Sequence, residues 1–165
     1  MYNRELRVRI PDHLSSFGKF SASRRFGQVL EQIEDRGLDG GDADAVARAD
    51  RVVLAHADRD PDPALHISLA ERGAYLGYDG FARPRTRSDA ELLALTAQVV
   101  EGVGADRILL GGDVARRTRY ISYGGMPGLA YLGERYLPRL RSTVGADAVE
   151  RMLVANAAQL LDLSR

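Results

Sequence analysis

The sequence predicts an α/β fold in which parallel strands are buried beneath an outer layer of helices. Helical and strand patterns alternate from about residue 28 onward, and apolar strand cores begin near residues 51, 74 and 107. These cores are almost continuously apolar, which is typical of strands that are buried on both faces. The spacing between them fits right-handed crossover connections that each contain a helix.

Helix signals separate the predicted strands RVVLAH (51–56), AYLGYD (74–79) and RILLGGD (107–113). A helix over residues 29–38 precedes the first strand. Asp62, which is followed by a proline, predicts the start of the next helix. An S-x-x-E capping box that begins at Ser88 predicts a third helix, which we expect to end at Gly102.

The region after the third strand is predicted to begin with a long loop over residues 114–128 and to continue as helices. Pro138 is expected to kink or split the first of these helices, because proline cannot donate a backbone hydrogen bond. Asp147 and Glu150 repeat the capping pattern and predict the start of the helix that follows.

Length and charge limit the class of protein. The 165 residues suffice for one domain with its own core. The 23 cationic and 23 anionic side chains balance, so bulk charge gives no reason to expect a nucleic acid or a membrane as partner. The balance is uneven, and residues 1–27 form an atypical basic segment ahead of a domain over residues 28–165. The first residues contain no apolar secretory segment, so we expect a cytoplasmic protein.

Each predicted strand ends in a residue type that can bind a metal or transfer a proton. The first ends in His56, the second in Asp79 and the third in Asp113. Burial explains the apolar strand interiors, but it does not explain a polar residue at the same end of three successive strands. Because active sites of α/β barrels lie at the carboxyl ends of the strands, we expect the three side chains to converge on one mouth.

This set of side chains is suited to metal-assisted hydrolysis. The chain has no cysteine, so a metal would be held by imidazole and carboxylate groups, which bind Zn²⁺, Mn²⁺ or Co²⁺. A bound divalent ion lowers the pKa of its water, and a ligating carboxylate can accept the proton. The two glycines before Asp113 would let backbone and substrate approach closely.

The same residues also have purely structural interpretations. His56 could be a hydrogen-bonded loop residue, and the two aspartates could cap helices or form Asx turns. Another histidine, His66, falls on a polar helix face and is expected to be solvated.

The loop over residues 114–128 is rich in Arg, Tyr and Gly. As a lid over the strand ends, it would bring Arg116 and Tyr123 to an anionic or ester substrate. Alternatively, its arginines are simply solvated. We favour the lid, because the loop directly follows the strand that carries Asp113.

Three segments resemble the C-terminal part of the phosphotriesterase family in the amidohydrolase superfamily: VVLAHADRDPDP, AYLGYDG and DRILLGGDVARR followed by YGGMPGLAYL. The resemblance implies a partial (β/α)8 TIM barrel that comprises about the last three to four βα units. It also implies a hydrolase of phosphotriesters, lactones or related esters that depends on a divalent metal, with Zn²⁺ expected and Mn²⁺ or Co²⁺ as alternatives.

The resemblance further implies roles at matching positions. His56 matches a ligand of the family's more exposed metal ion. Asp113 matches the aspartate that binds the more buried ion and accepts a proton from the bridging hydroxide. Asp79 matches a seventh-strand aspartate near the substrate pocket.

Other parts of the family's metal centre have no match in this sequence. These are the H-x-H pair of the first strand, the bridging carboxylate of the fourth, and the histidine that ends the fifth, which is expected near Ser21. A complete barrel takes about 250 residues, so the sequence predicts a truncated barrel with an incomplete metal centre.

Two functions therefore remain open at this stage. The first is a metal-dependent hydrolase. The second is a non-catalytic barrel remnant or an α/β scaffold that forms a homo-oligomer through open sheet edges. A flavodoxin-like or Rossmann-like binding domain is a third interpretation, but no G-x-G-x-x-G segment follows any predicted strand.

Overall fold

The computed structural model describes residues 52–162. Within this range three short strands form a parallel sheet, in which the second strand lies between the other two. The strands are β1 (Val53–Leu54), β2 (Tyr75–Tyr78) and β3 (Ile108–Leu110). The predicted basic segment (1–27), the helix over residues 29–38 and the fifth-strand position near Ser21 lie outside the described residues.

Helices follow each strand, as the alternating sequence pattern predicts. The α-helices are α1 (Pro63–Glu71), α2 (Asp89–Val103), α3 (Leu137–Val144), α4 (Ala146–Glu150) and α5 (Asn156–Leu161). The π-helical turns Leu132–Tyr136 and Arg151–Ala155 lead into α3 and α5, and short 3₁₀ turns occupy Ala57–Arg59, Arg117–Arg119 and Ile121–Tyr123.

The first two helices begin where the sequence places them. The Asp62 carboxylate accepts a hydrogen bond from the Ala64 amide at 2.9 Å and so caps α1. At the start of α2, the Ser88 hydroxyl accepts from the Glu91 amide, and the Glu91 carboxylate accepts from the Ser88 amide. Both caps satisfy backbone donors that the first helical turn leaves unpaired.

The prediction that Gly102 ends α2 is wrong, because the helix continues to Val103 and is capped at Gly104, where φ is 79°. Gly102 instead allows close packing between helices. A Cβ atom at this position would lie 2.5 Å from Cδ1 of Ile67 in α1. The glycine is therefore explained by the neighbouring helix rather than by the end of its own.

The C-terminal helices differ from expectation at two points. The helix around Pro138 is not split: a π-helical turn precedes it, and the Leu137 amide donates to the Leu132 carbonyl. The wider turn accommodates a residue that cannot donate a backbone hydrogen bond. The predicted cap at Asp147 is also wrong, since Gly145 is the N-cap and Asp147 lies in the first turn of α4.

The core lies between the sheet and the helices packed on it. α1 packs against α2 and β2, and α2 packs against α3. The largest fully buried apolar side chains come from strands and helices alike: Tyr75, Leu76, Ile108, Leu69, Val99, Leu140, Val149 and Met152.

The expectation that His66 is solvated is wrong, because only 1% of its surface is exposed. α1 packs on β2, and a hydrogen bond of 2.5 Å joins Nδ1 of His66 to the Tyr78 hydroxyl. Burial lowers the pKa of the His66 imidazole, so the ring is neutral where it lies between α1 and β2.

None of the helices between residues 52 and 162 is both long enough and apolar enough to cross a bilayer.

Candidate metal centre

The structure brings together the three polar residues that follow the strands. His56 lies two residues beyond β1, Asp79 directly follows β2, and Asp113 lies three residues beyond β3. One ligand atom from each residue can be chosen so that all three lie within 4.8 Å of one another. The side chains thus share one mouth because parallel strands end at the same edge of the sheet.

The backbone at two of these residues adopts an unfavourable conformation. Residues 52–162 contain three non-glycine residues with positive φ, and two of them are His56 (59°) and Asp113 (40°). A side chain in this left-handed region costs about 1–3 kcal/mol. Such strain is concentrated at binding and catalytic sites, where it aims a side chain that a relaxed turn would point elsewhere.

A close pair joins the first two strand ends. Nδ1 of His56 lies 2.8 Å from Oδ1 and 2.7 Å from Oδ2 of Asp79. An ionised carboxylate only accepts hydrogen bonds, so the proton of this contact belongs to the imidazole. The contact fixes the plane of the His56 ring and leaves Nε2 as the nitrogen that can bind a ligand.

Arg83 connects the two aspartates. Its Nη2 donates to the Asp113 carboxylate and lies 3.4 Å from the Asp113 carbonyl oxygen, while its Nη1 lies 3.5 Å from Oδ1 of Asp79. The guanidinium is largely buried beside both carboxylates. One cation therefore offsets the repulsion between two acids that face the same mouth.

Asp58 lies beneath the site and is only 3% exposed. Its Oδ2 accepts hydrogen bonds from the amides of Asp79 at 2.9 Å and Gly80 at 2.5 Å. Burial raises the pKa of the Asp58 carboxyl, and the nearby Asp79 charge adds to this shift, while the two amide hydrogen bonds oppose it.

A cleft of about 510 Å³ opens beside these residues. Of the two loop residues that are expected to contact a substrate, Arg116 lines this cleft. Tyr123 is not among the lining residues, and instead the guanidinium of Arg117 lies 4.8 Å from the centre of its ring. The lining is His56, Asp58, Arg59, Gly80, Arg83, Thr86, Arg87, Leu92, Asp113, Ala115, Arg116 and Arg119.

Sequence analysis missed several residues of this site. The hydrogen bond from the Asp79 amide to Asp58 spans 21 residues, and the one from Arg83 to the Asp113 carboxylate spans 30, so no local pattern marks either contact. Arg87 donates to the carbonyl oxygens of Arg59 and Asp60 and so holds the turn after β1 against the loop after β2. One signal was present in the sequence, since Asp58 follows His56 by two residues inside the HADRD segment.

Comparison with known proteins identifies relatives of the chain. The sequence profile of the phosphotriesterase family matches residues 30–161. A phosphotriesterase-related protein of Drosophila grimshawi is 31% identical over 135 residues, which cover 73% of this chain and 38% of that protein. A second such protein, from Drosophila persimilis, is 30% identical over 130 residues, which cover 72% of this chain and 37% of the relative.

Solved structures agree with this assignment. A lactonase from Listeria monocytogenes is 29% identical and superposes with a TM-score of 0.71, over 82% of this chain and 41% of the lactonase. A resiniferatoxin-binding protein from Rhodobacter sphaeroides is 30% identical, with a TM-score of 0.69 over 84% of this chain and 39% of that protein. A phosphotriesterase homology protein from Escherichia coli, at 23% identity and a TM-score of 0.72, supports the fold alone.

These neighbours are TIM barrels, so the parallel sheet and its helices form part of such a barrel. The chain spans about two fifths of the length of the relatives above. The family consists of hydrolases with a binuclear metal centre, and a His, Asp, Asp group is present here. On the profile match over residues 30–161, this chain belongs to the phosphotriesterase family.

Proposed function

We propose that this chain contributes one part of the catalytic centre of an ester hydrolase that depends on a divalent metal. The observation that carries the proposal is the convergence of His56, Asp79 and Asp113 at successive strand ends, where one nitrogen or oxygen atom from each side chain lies within 4.8 Å of the others. Phosphotriesters, lactones and related esters are the substrate classes that the family relationship favours.

The donor atoms fit a divalent ion of the zinc type. Imidazole nitrogen and carboxylate oxygen are ligands that Zn²⁺, Mn²⁺ and Co²⁺ accept. A metal-binding histidine almost always donates its other ring N–H to a carboxylate, a backbone carbonyl or a water, and His56 donates to the Asp79 carboxylate. We therefore assign His56 and Asp113 as ligands and Asp79 as the partner that orients the His56 ring.

A divalent ion bound here would polarise the ester and lower the pKa of the attacking water. The remaining steps belong to the protein. Asp113 accepts the proton that the water loses, which is the role implied by its match to the family's eighth-strand aspartate. Arg83 keeps the Asp113 carboxylate in place by donating to it and approaching the carbonyl oxygen of the same residue.

The cleft favours substrates with an anionic or strongly polar group. Five of its lining residues are arginines, while two of the lining residues are acids. Guanidinium groups bind carboxylate and phosphate oxygens through paired N–H donors. We expect Arg116 and Arg119, which lie on the loop after β3, to contact such a group, with Tyr123 recruited if the loop closes. The arginines are Arg59, Arg83, Arg87, Arg116 and Arg119.

A non-catalytic scaffold is the second candidate, and a specific observation favours it. The loop after β3 exposes Ile121, Tyr123 and Met126, and Leu129 follows them. Exposed apolar side chains that lie close together often mark a protein interface. On this alternative, the chain would associate with copies of itself and would bind no metal.

Calorimetric titration of the purified chain with Zn²⁺ tests the proposal. We expect near-stoichiometric binding, and we expect His56→Ala and Asp113→Asn to weaken it by at least about tenfold, since even the loss of an outer partner of a ligand costs about 10–100-fold. Asp106→Asn, which changes an exposed acid outside the site, is the matched control.

Turnover is then measured on paraoxon and on a panel of lactones with and without an anionic substituent. Hydrolysis that depends on added metal and is lost in both site variants would support the hydrolase. Absence of Zn²⁺ binding by the folded wild-type chain would refute the metal centre, and self-association without metal binding would favour the scaffold.

A further inference from the structure

Asp58 is a buried acid that is not one of the proposed metal ligands. The arginines that line the cleft do not explain its burial either. It lies in the 3₁₀ turn Ala57–Arg59 that directly follows His56. Its Oδ1 is buried and has no hydrogen-bond partner within residues 52–162. A buried carboxylate with an unsatisfied oxygen reduces stability, so a residue of this kind calls for a compensating role.

The other oxygen shows what that role is. Oδ2 accepts hydrogen bonds from two consecutive amides, those of Asp79 and Gly80, at the point where β2 ends. Two donors on one oxygen fix the orientation of the peptide between them. The direction in which the Asp79 side chain leaves the backbone is therefore fixed from the loop of the neighbouring strand.

Space around this contact is limited as well. A Cβ atom on Gly80 would lie 2.8 Å from Oδ2 of Asp58, which is closer than real Cβ contacts allow. Gly80 is not in the left-handed region, so its lack of a side chain serves the approach of Asp58 rather than the backbone conformation. A side chain at position 80 would displace the Asp58 carboxylate, so the contact depends on both residues.

Asp79, whose amide donates to Asp58, also contacts the imidazole of His56. Asp79 lies 2.7–2.8 Å from Nδ1 of His56, and His56 itself is two residues before Asp58 in the chain. We propose that Asp58 is a positioning residue that holds the Asp79 carboxylate against His56 Nδ1. It thereby determines which ring nitrogen carries the proton and which one is free to bind. The inference rests on the proposed function only where it names a metal as the group that the free nitrogen binds.

Nitrogen-15 NMR of the His56 ring in the metal-free chain tests the positioning directly. In the wild-type chain we expect Nδ1 to carry the proton. In Asp58→Ala and in Gly80→Ala we expect this preference to be lost, with both ring nitrogens shifting toward an averaged signal. Asp58→Asn should restore the wild-type pattern, because its amide oxygen can accept the same two hydrogen bonds.

Asp89→Ala is the matched control. Asp89 is also largely buried and accepts from an amide of the same loop, that of Ala82 at 2.7 Å, but it does not bond the amides of Asp79 or Gly80 in the described structure. It should lower thermal stability and leave the His56 signals unchanged. If Asp58→Ala does not fold, Gly80→Ala decides the question, because it displaces Asp58 without removing it.

Unchanged His56 signals in folded Asp58→Ala or Gly80→Ala would overturn the positioning role, and so would an equal change in Asp89→Ala. A parallel titration with Zn²⁺ is expected to show about 10–100-fold weaker binding in Asp58→Ala, as for other partners that orient a ligand. If the wild-type chain binds no Zn²⁺ while the NMR response is present, the metal centre fails and the positioning role stands.

Discussion

At the scale of single residues, His66 gives the fold a defined dependence on pH. Burial lowers its pKa below the ordinary value of 6.5, so the folded chain keeps the ring neutral where the unfolded chain takes up a proton. The stabilising contribution is therefore present above pH 6.5 and is lost as the pH falls below it. We expect the free energy of unfolding to decrease on acidification by up to about 1.4 kcal/mol per pH unit from this residue.

Urea denaturation between pH 7 and pH 5 measures this effect. His66→Gln should flatten the pH dependence over that range, although it also lowers stability at pH 7 through the loss of the Tyr78 contact. His56→Gln is the matched control, because it removes a histidine that is partly exposed and should leave the His66 contribution in place. An unchanged slope in His66→Gln would contradict the assignment.

Arg83 is the second residue whose replacement has a predictable result. It faces Asp79 and Asp113 in a largely buried position, so Arg83→Met leaves two neighbouring carboxylates without a counter-charge. Removing one partner from a fully buried ion pair costs about 3–5 kcal/mol, and partial exposure of Asp113 reduces the expected loss to about 2 kcal/mol. Chemical denaturation at neutral pH gives the value.

Arg83→Lys is the companion variant, since it keeps the charge but loses the paired donors. We expect it to recover part of the lost stability. A wild-type denaturation midpoint in Arg83→Met would show that the ion pairs around the mouth contribute nothing to folding.

Sequence analysis could find those site residues whose position after a strand is enough to place them. His56, Asp79 and Asp113 each follow a strand within three residues, and the parallel arrangement of the strands brings them together. Asp58 and Arg83 could not be found in this way, because their hydrogen bonds depend on how the loops after different strands pack. His66 was misjudged for the same reason, since the helix face it occupies covers β2.

At the scale of elements, the cap of α2 makes the next prediction. The Ser88 hydroxyl accepts from the Glu91 amide at 3.3 Å and donates to the Glu91 carboxylate at 2.6 Å. Ser88→Ala removes both contacts and should lower the free energy of unfolding by about 1 kcal/mol. Ser142→Ala, which removes an exposed hydroxyl bonded to the Pro138 carbonyl, should change it by less than about 0.5 kcal/mol. Equal effects of the two variants would contradict a specific role for the cap.

Caps of this kind are local, and this is why the starts of α1 and α2 could be predicted from the sequence. Helix ends that depend on packing against other elements could not be predicted in this way. Gly102 lies inside its helix, and Ile67 of the neighbouring helix occupies the space that a side chain there would fill. A π-helical turn precedes Pro138 in a segment that was expected to kink or split. Within one helix, nearby sequence signals can therefore determine where the helix starts, while packing against other elements affects how it continues and ends.

At the scale of the whole molecule, the parallel direction of the strands followed from the spacing of the apolar runs, and the same interpretation predicts a sheet with open edges. Within residues 52–162, β1 and β3 each have one neighbouring strand. On β1, the Val53 side chain is 42% exposed. Strand edges with exposed apolar side chains tend to pair with other chains.

We therefore expect the chain to associate with itself, with a mass by light scattering that exceeds 18.1 kDa and rises with concentration. Val53→Lys should reduce association, because a charged residue on a strand edge opposes pairing. Leu161→Lys is the control, since it removes an equally apolar side chain that is exposed at the end of α5 rather than on the sheet. A mass of one chain at every concentration would refute association, and equal effects of both variants would place the contact somewhere other than the sheet edge.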